Sequence, residues 1–495
     1  LNWEKWKMEQ RKPTIVYILA DDLGYGDVSS LNPGCPFATT HFDLLSREGM
    51  QCTDAHATSA VCTPSRYSII TGRYNWRSEL KSSVLGGFSP PLIDAQRKTI
   101  AQMLKERGYS THAVGKWHLG MELPKQDDFI EQPDFADSHT IDYSKPIKKG
   151  PVSVGFDTFY GISGSLDMPP YVYIKDDRFT SIPTKVTKGK GMGYWREGLT
   201  ADDFIHEEVL DHLTDKAVEV IEKESDHPFF LYFSLPAPHT PILPAKEFQG
   251  RSKTNDYGDF VLHCDSVVGR ILSALDEAGL REDTLVVFTS DNGCSPSADF
   301  PALERAGHHP SYHFRGMKAD IYEGGHRVPL LMRWPKVIEP GSTCDQLVSL
   351  CDFYATLAEY LGVDLAADEA VDSYSMLATL KSPSLPTRPS LVHQSIDGSL
   401  SLRRGPWKLE MCKGSGGWSF PVPGSKDEVQ LPSLQLYNLD KDIREQVNIA
   451  SAYPGIVQEM KGELRAIVEQ GRSTAGPRQT NDGVAIWETV SWLQG

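Results

Sequence analysis

The run Thr14-Ile15-Val16-Tyr17-Ile18-Leu19-Ala20 stops abruptly at Asp21-Asp22. Consecutive apolar and β-branched residues without a polar face at helical spacing predict a strand buried on both sides. Such a strand delivers two carboxylates at its carboxyl end. The pattern recurs at 228–235 (PFFLYFSL) and at 284–290 (TLVVFTS), the latter running into Asp291-Asn292-Gly293. A shorter run at 110–114 leads into Gly115-Lys116-Trp117-His118-Leu119-Gly120. Between these strands, residues 40–48, 99–107, 203–224 and 256–278 carry apolar positions every three to four residues, which predicts helices. Strands alternating with helices of this length predict an α/β fold, a large and mostly parallel sheet sandwiched by helices. Ligands of such sheets bind beyond the carboxyl ends of the strands, which is where the acids fall. A strand at 328–333 and a helix at 351–361 fit the same layers.

At 495 residues the chain is long enough for more than one core. After Pro383 the texture changes to Pro/Ser/Thr punctuation, short alternating runs at 399–412 and 434–438, and an amphipathic stretch at 456–469. These predict a smaller C-terminal unit made of a short antiparallel sheet and a terminal helix. The expected division is a large catalytic domain over 1–380 and an α+β subdomain over 381–495.

Hydrophobic residues make up 40% and charged residues 23% of the chain, and no apolar stretch nears the roughly 20 residues that span a bilayer. No membrane span is expected. The net charge of −16 excludes a general nucleic-acid binder, which needs a basic face to displace counterions. An anionic substrate would require cations concentrated locally, against this overall field. The eight cysteines lack Cys-x-x-Cys spacing, so neither a zinc ribbon nor a dense disulfide framework is implied. The chain begins at Leu1, and its sequence is silent on a removed export signal.

Cys62 lies in Val61-Cys62-Thr63-Pro64-Ser65-Arg66, and Thr71-Gly72-Arg73 closes the segment. Pro64 suits a first helical turn, where its missing N–H would be unpaired in any case. Cys62 is therefore expected near the positive end of a helix, with Arg66 one turn on and able to point back toward it. Asp21, Asp22, Asp291 and Asn292 are oxygen donors at the ends of two strands, a set that suits a hard divalent cation such as Ca²⁺ or Mg²⁺. Lys116 and His118 are two residues apart, so in an extended segment both face one side. His239 follows the strand at 228–235, and Lys318 lies in Arg315-Gly316-Met317-Lys318, ahead of Glu323-Gly324-Gly325.

The Cys-x-Pro-Ser-Arg run with its downstream Thr-Gly resembles the signature of type I sulfatases. These belong to the alkaline phosphatase superfamily, and a separate formylglycine-generating enzyme oxidises their cysteine to Cα-formylglycine. Residues 21–27 (DDLGYGD) and 290–293 (SDNG) resemble the two metal-binding motifs of that family, and 115–118 its Gly-Lys-Trp-His motif. His239 resembles the family's histidine near the leaving oxygen, and Lys318 its second sulfate-binding lysine. The resemblance covers about residues 13–470, with Thr63 standing where many relatives have Ala, Ser or Pro. It implies one Ca²⁺ held by Asp21, Asp22, Asp291, Asn292 and the modified Cys62. It implies Cys62, Arg66, Lys116, His118, His239 and Lys318 as catalytic residues, in an exported, periplasmic or extracellular enzyme. In texture the chain is most similar to N-acetylgalactosamine-6-sulfatases and bacterial exo-acting glycan sulfatases, which makes a 6-O-sulfated galactose or N-acetylgalactosamine the candidate substrate.

A sulfuryl group in transfer spreads negative charge over its oxygens, so cations aimed at them lower the barrier, each such donor being worth about 2.7–4 kcal/mol. Arg66, Lys116, Lys318 and the metal are the expected donors. A serine nucleophile would end as a stable sulfate ester. A formylglycine diol avoids this: one hydroxyl attacks sulfur to give a sulfoenzyme intermediate, and the other, deprotonated by His118, expels sulfate as the C=O re-forms. His239, with Lys318, would protonate the departing alcohol, and the metal would act as Lewis acid and activate the attacking oxygen. Two other readings fit the same residues: a phosphate or phosphonate monoester hydrolase of the superfamily, and a sulfatase-like binding protein without turnover. Residues 166–173 (LDMPPYVY), 308–315 and the stretch around Trp418 are candidate sugar contacts.

Overall fold

All eight residues of β1 (Thr14–Asp21) are buried, which requires cover on both faces of its sheet. The computed structural model describes residues 12–126 and 138–494. The sheet is completed by β2 (Met50–Cys52), β3 (Ser110–Lys116), β4 (Thr158–Ile162), β5 (Ile174–Lys175), β6 (Arg178–Phe179), β7 (Phe229–Pro238), β8 (Thr284–Ser290), β9 (Leu330–Arg333) and β10 (Ser342–Cys344). Its ten strands lie in the order β10-β2-β9-β8-β1-β7-β3-β4-β5-β6. The centre, from β8 to β4, is parallel throughout. The flanks are not: β9 runs antiparallel to both β8 and β2, and β5 antiparallel to β4 and β6. The mostly parallel sheet expected is thus present as a mixed sheet whose centre is parallel. Two residues separate β5 from β6, a connection too short for anything but a hairpin.

The helices on this sheet are α1 (Thr40–Glu48), α2 (Cys62–Thr71), α3 (Ile100–Glu106), α4 (Val209–Lys223), α5 (Asp256–Glu277) and α6 (Phe353–Tyr360). Helices α1, α4 and α5 pack as one group, and α2, α3 and α6 as another. The expected helix at 203–224 begins later, at Val209, because residues His206–Glu208 form a 3₁₀ turn first. No helix among the described residues is long and apolar enough to cross a membrane.

A second, four-stranded antiparallel sheet runs in chain order through β11 (Leu391–Gln394), β12 (Leu400–Arg404), β13 (Trp407–Glu410) and β14 (Gln435–Asn438). Helix α7 (Pro454–Gln470) covers it, burying Val457, Met460 and Leu464 against Leu391, Leu402 and Leu409. Tyr74 and Trp76, which follow α2, are buried in the same cluster, so the smaller core reaches to the chain just past the Cys62 helix. Strand β11 escapes the sequence pattern because it is only four residues long and sits among Pro and Ser. It matters nonetheless: Gln394 donates its backbone N–H to Thr58 and its carbonyl accepts from Ala60, two residues before Cys62.

The seam between the two sheets holds a fully buried lysine. Lys408 Nζ lies 2.7 Å from Glu445, 3.1 Å from Glu323 and 3.3 Å from Glu410, and donates to the Ile321 carbonyl at 2.9 Å. Removing one partner of a buried charge cluster leaves the rest uncompensated, at a cost of about 3–5 kcal/mol. Lys408→Met should therefore lower stability by about that amount. A urea-unfolding midpoint equal to wild type would show that the seam does not depend on this ammonium.

Candidate active site

Because β1, β3, β7 and β8 run parallel, their carboxyl ends meet along one edge. The register pairs Asp21 with Pro238 and Ala20 with Ser290, so Asp21-Asp22, His239 and Asp291-Asn292 emerge side by side. Lys116 ends β3 on the far side of β7. The amino end of α2 then closes on this edge. One donor atom from each of Asp21, Asp22, Cys62 and His239 lies within 4.8 Å of the others, and all four residues are buried.

Helix α2 begins at Cys62 with Val61 as an extended N-cap, and Ser65 Oγ donates back to the Ser59 and Val61 carbonyls at 2.9 and 3.1 Å. Its far end explains the Thr-Gly of the motif. Gly72 takes the left-handed conformation (φ 62°) and donates to the Ser68 carbonyl, while a Cβ there would lie 2.8 Å from that of Ala370. All ten residues of α2 are buried, so the helix is clamped on every side. On its approach, Ala60 is held by two backbone bonds, to Gln394 and from Ala319, the residue after Lys318.

Arg66 is fully buried and commits its guanidinium to the protein. Its Nε and Nη2 donate to Asp291 Oδ2 at 2.9 and 2.7 Å, and Nη1 donates to Ser234 Oγ and to the Lys116 carbonyl. Asp291 Oδ1 accepts from the Asp22 backbone at 3.2 Å, and Asn292 Nδ2 donates to Asp22 Oδ1 at 2.7 Å. Lys116 donates to Asp21 Oδ2 at 2.6 Å, and Lys318 to Asp22 Oδ2 at 2.8 Å. Three cations thus face three buried acids. Burial alone would raise Asp21, but Lys116, His239, Arg66 and Lys318 outweigh it and hold the carboxyl well below its ordinary range. Asp291 goes the other way, pushed up to about 6 by burial and by Asp21. Burial pushes the Cys62 thiol up to about 12, so an unconverted cysteine here stays protonated and is a poor nucleophile.

His118 does not continue the extended strand. Its φ of 56° is left-handed, a conformation rarely taken by side-chain-bearing residues and concentrated at functional sites; Asp22, at φ 65°, shares it. The expectation that Lys116 and His118 line up by strand alternation therefore fails, and a different device sets the ring. His118 Nε2 donates to the Leu85 carbonyl at 2.7 Å, and the Leu85 N–H donates to Thr63 Oγ1 at 3.2 Å. Thr63, the position that departs from many sulfatases, reaches from α2 through Leu85 to His118. The ring's Nδ1 is buried without a hydrogen-bond partner, and burial, with Lys116 and Arg66 nearby, holds the imidazole well below its usual pKa.

Two functional neighbours lie outside the sequence motifs. Ser165 Oγ accepts from Lys116 at 3.2 Å and lies 3.3 Å from His239 Nδ1, joining the two. Ser234, one of Arg66's acceptors, is a polar residue in the apolar run of β7, a signal the sequence did carry. Asp27 is structural: it accepts from the Gly24 N–H at 2.7 Å and from His308 at 2.6 Å. A Cβ on Gly26 would lie 2.1 Å from the His309 carbonyl, so the glycines of the first motif admit this loop. His308 thus belongs to the scaffold, as do Tyr171 and Tyr173, which are buried against Phe204 and not presented to a sugar.

The site suits a hard cation. Asp21 Oδ1 and Asn292 Oδ1 are buried oxygens without a hydrogen-bond partner, beside further carboxylates. Orphaned oxygens of this type are costly unless something binds them.

The sulfatase family model matches residues 13–363. The chain belongs to the sulfatase family. This sulfatase is 32% identical to the N-acetylgalactosamine-6-O-sulfatase of Bacteroides thetaiotaomicron, over 92% of its own length and 93% of the relative's. It is 31% identical to arylsulfatase A of Homo sapiens, over 96% and 91% of the two chains. A solved structure from work on glycosaminoglycan metabolism by Bacteroides thetaiotaomicron matches with a TM-score of 0.80 at 31% identity, covering 92% of this chain and 99% of that one. The sulfatase is accordingly a sulfuric ester hydrolase, with the large sheet and separate antiparallel sheet expected for its family.

Proposed function

We propose that this sulfatase removes O-sulfate esters from a sulfated glycan or sugar, using residue 62 as Cα-formylglycine and one Ca²⁺ held by Asp21, Asp22, Asp291, Asn292 and residue 62. The observation that carries the reading is the approach of Cys62 to Asp21, Asp22 and His239 within 4.8 Å, with Lys116 and Lys318 ending on the same two acids. Three cations against three acids leave the site near neutrality, so a divalent cation makes it positive and receptive to an anionic ester. Similarity over most of both chains to a relative named for N-acetylgalactosamine 6-O-sulfate favours that sugar, or the corresponding galactose, as substrate.

When bound, the ion supplies Lewis-acid polarisation of sulfuryl oxygens. Hydrated formylglycine supplies a hydroxyl nucleophile whose sulfate ester can collapse, as that of serine cannot. The chain's own residues do the rest. Lys116 and Lys318 present ammonium groups where charge builds on the sulfuryl oxygens. Arg66 fixes the Asp291 carboxylate and the end of β3. His118, neutral and with a free Nδ1, takes a proton from residue 62. His239, with Nε2 3.6 Å from Asp22, donates one to the departing sugar oxygen, assisted by Lys318. We assign catalysis to residues 1–380 and a supporting role to 381–495, in an enzyme that a formylglycine-generating enzyme matures and that acts in the periplasm or outside the cell.

Rates on a panel of sulfated monosaccharides test the reading, with 6-O-sulfated N-acetylgalactosamine or galactose expected fastest. Turnover of aryl sulfates with no sulfated sugar accepted would refute the glycan assignment. Asp291→Ala is expected to lose both activity and bound calcium. Elemental analysis that still found one calcium per chain would remove Asp291 from the ligand set.

A further inference from the structure

Two cations three residues apart serve different spaces. Lys318 reaches Asp22 in the catalytic edge, whereas Arg315 lines a separate cavity of about 300 Å³ between its own segment and the C-terminal sheet. Chain reach keeps the two Cα atoms within about 11 Å. Tyr322, Lys413, Gln435, Tyr437 and Asn448 also line this cavity. Arg315 is held in place there: its guanidinium sits 3.9 Å from the centre of the Tyr322 ring, and it donates to the Glu445 carbonyl at 2.6 Å. Among the described residues lining the cavity, Arg315 and Lys413 are the cations and no Asp or Glu side chain is present. In a chain of net charge −16, a recess lined by two cations and no acid favours an anion over a cation.

The loop beside the cavity points the same way. Asp320, two residues past Lys318, accepts from the backbone N–H groups of Trp418 and Ser419 at 2.8 and 3.0 Å, and Ile321 donates to the Ser415 carbonyl at 2.7 Å. The loop so anchored ends at Pro421, which lines the cavity, and it carries Trp418 and Phe420, 45% and 68% exposed. Exposed aromatic rings on a fixed loop suit the apolar faces of pyranoses, and cations in a recess suit a sugar's charged substituent.

We propose that this cavity is a subsite for an anionic sugar, its carboxylate or second sulfate facing Arg315 and Lys413, linked to the sugar whose sulfate is removed. Trp418 and Phe420, on the loop that ends at Pro421, are the exposed rings available to the connecting sugar. The inference rests on the glycan reading above and deepens it: the preferred substrate is an oligosaccharide with a second charge.

The test compares kcat/KM on 4-methylumbelliferyl sulfate, on a sulfated monosaccharide, and on sulfated disaccharides whose second sugar is neutral, a uronic acid or itself sulfated. Wild type should prefer at least one charged second sugar over the neutral one by about tenfold, the effect of one charge-assisted contact. The arm that shows the preference identifies the anion. Lys413→Ala should erase that preference and leave the aryl sulfate and monosaccharide rates unchanged. Arg315→Gln should do the same, with circular dichroism confirming that it folds. Equal rates on charged and neutral disaccharides would overturn the subsite while leaving the glycan reading intact, as would a Lys413→Ala loss shared by the aryl sulfate. Failure of wild type on every sulfated sugar would overturn the glycan reading, and the subsite with it.

Discussion

Cys62→Ala is expected to reduce turnover of an aryl sulfate by about 10⁴-fold or more, the scale on which enzymes respond to loss of a covalent nucleophile. The folded protein should survive the change. The substitution removes one sulfur from a helix held by Ser65, Gly72 and the backbone of Ala60, none of which depends on that atom. Lys116 and Lys318 stay in place, so binding of inorganic sulfate, measured by calorimetry, should persist in weakened form. A variant rate near wild type would remove residue 62 from the chemistry. The companion measurement is the mass of the wild-type peptide containing residue 62, expected to be that of the aldehyde. An unaltered cysteine in fully active protein would refute the conversion.

Arg66→Ala is expected to carry the largest structural penalty in the site, about 3–5 kcal/mol, because it strands a buried carboxylate. Asp291 loses both guanidinium contacts, and Ser234 and the Lys116 carbonyl lose theirs. Burial already pushes Asp291 up to about 6 against the pull of Arg66. Without that cation the carboxyl is pushed up further and becomes a poorer metal ligand. Activity and calcium content should therefore fall together with thermal stability. Arg66→Lys keeps the charge without the fork and should fall between. An Arg66→Ala protein with wild-type melting behaviour would show that Asp291 does not need its partner.

The sequence pattern made the scaffold of the site legible. Short, β-branched apolar runs such as 14–20 and 284–290 read as strands buried on both faces, and their abrupt ends in acids mark the edge where ligands bind. The Cys62 segment was readable for a different reason: a proline in a first turn and a glycine at a helix end are local backbone requirements. The flanks of the main sheet were legible only in part: β9 was expected as a strand but not as an antiparallel one, and the strands of two or three residues carry too little pattern to be found. Strand β11 was not legible.

What escaped most completely are contacts between segments that lie far apart in the chain. Ser165 joins Lys116 to His239 from a loop with no motif of its own, and Leu85 links Thr63 to His118 through its backbone, where side-chain identity leaves no trace. The conformation of His118 is hidden from the sequence for the same cause, since its backbone N–H bonds to Ser163 and its ring to the Leu85 carbonyl. By itself, then, the sequence determined the strands, the helix at Cys62 and the chemical types available at their ends, because hydrophobic period and backbone preference are local properties. Only the tertiary structure decided which cation serves which acid, how His118 is aimed, and that Arg315 turns away from Lys318 into a second cavity. Those outcomes depend on distance and burial, which arise once parallel strands and the C-terminal sheet bring remote residues together.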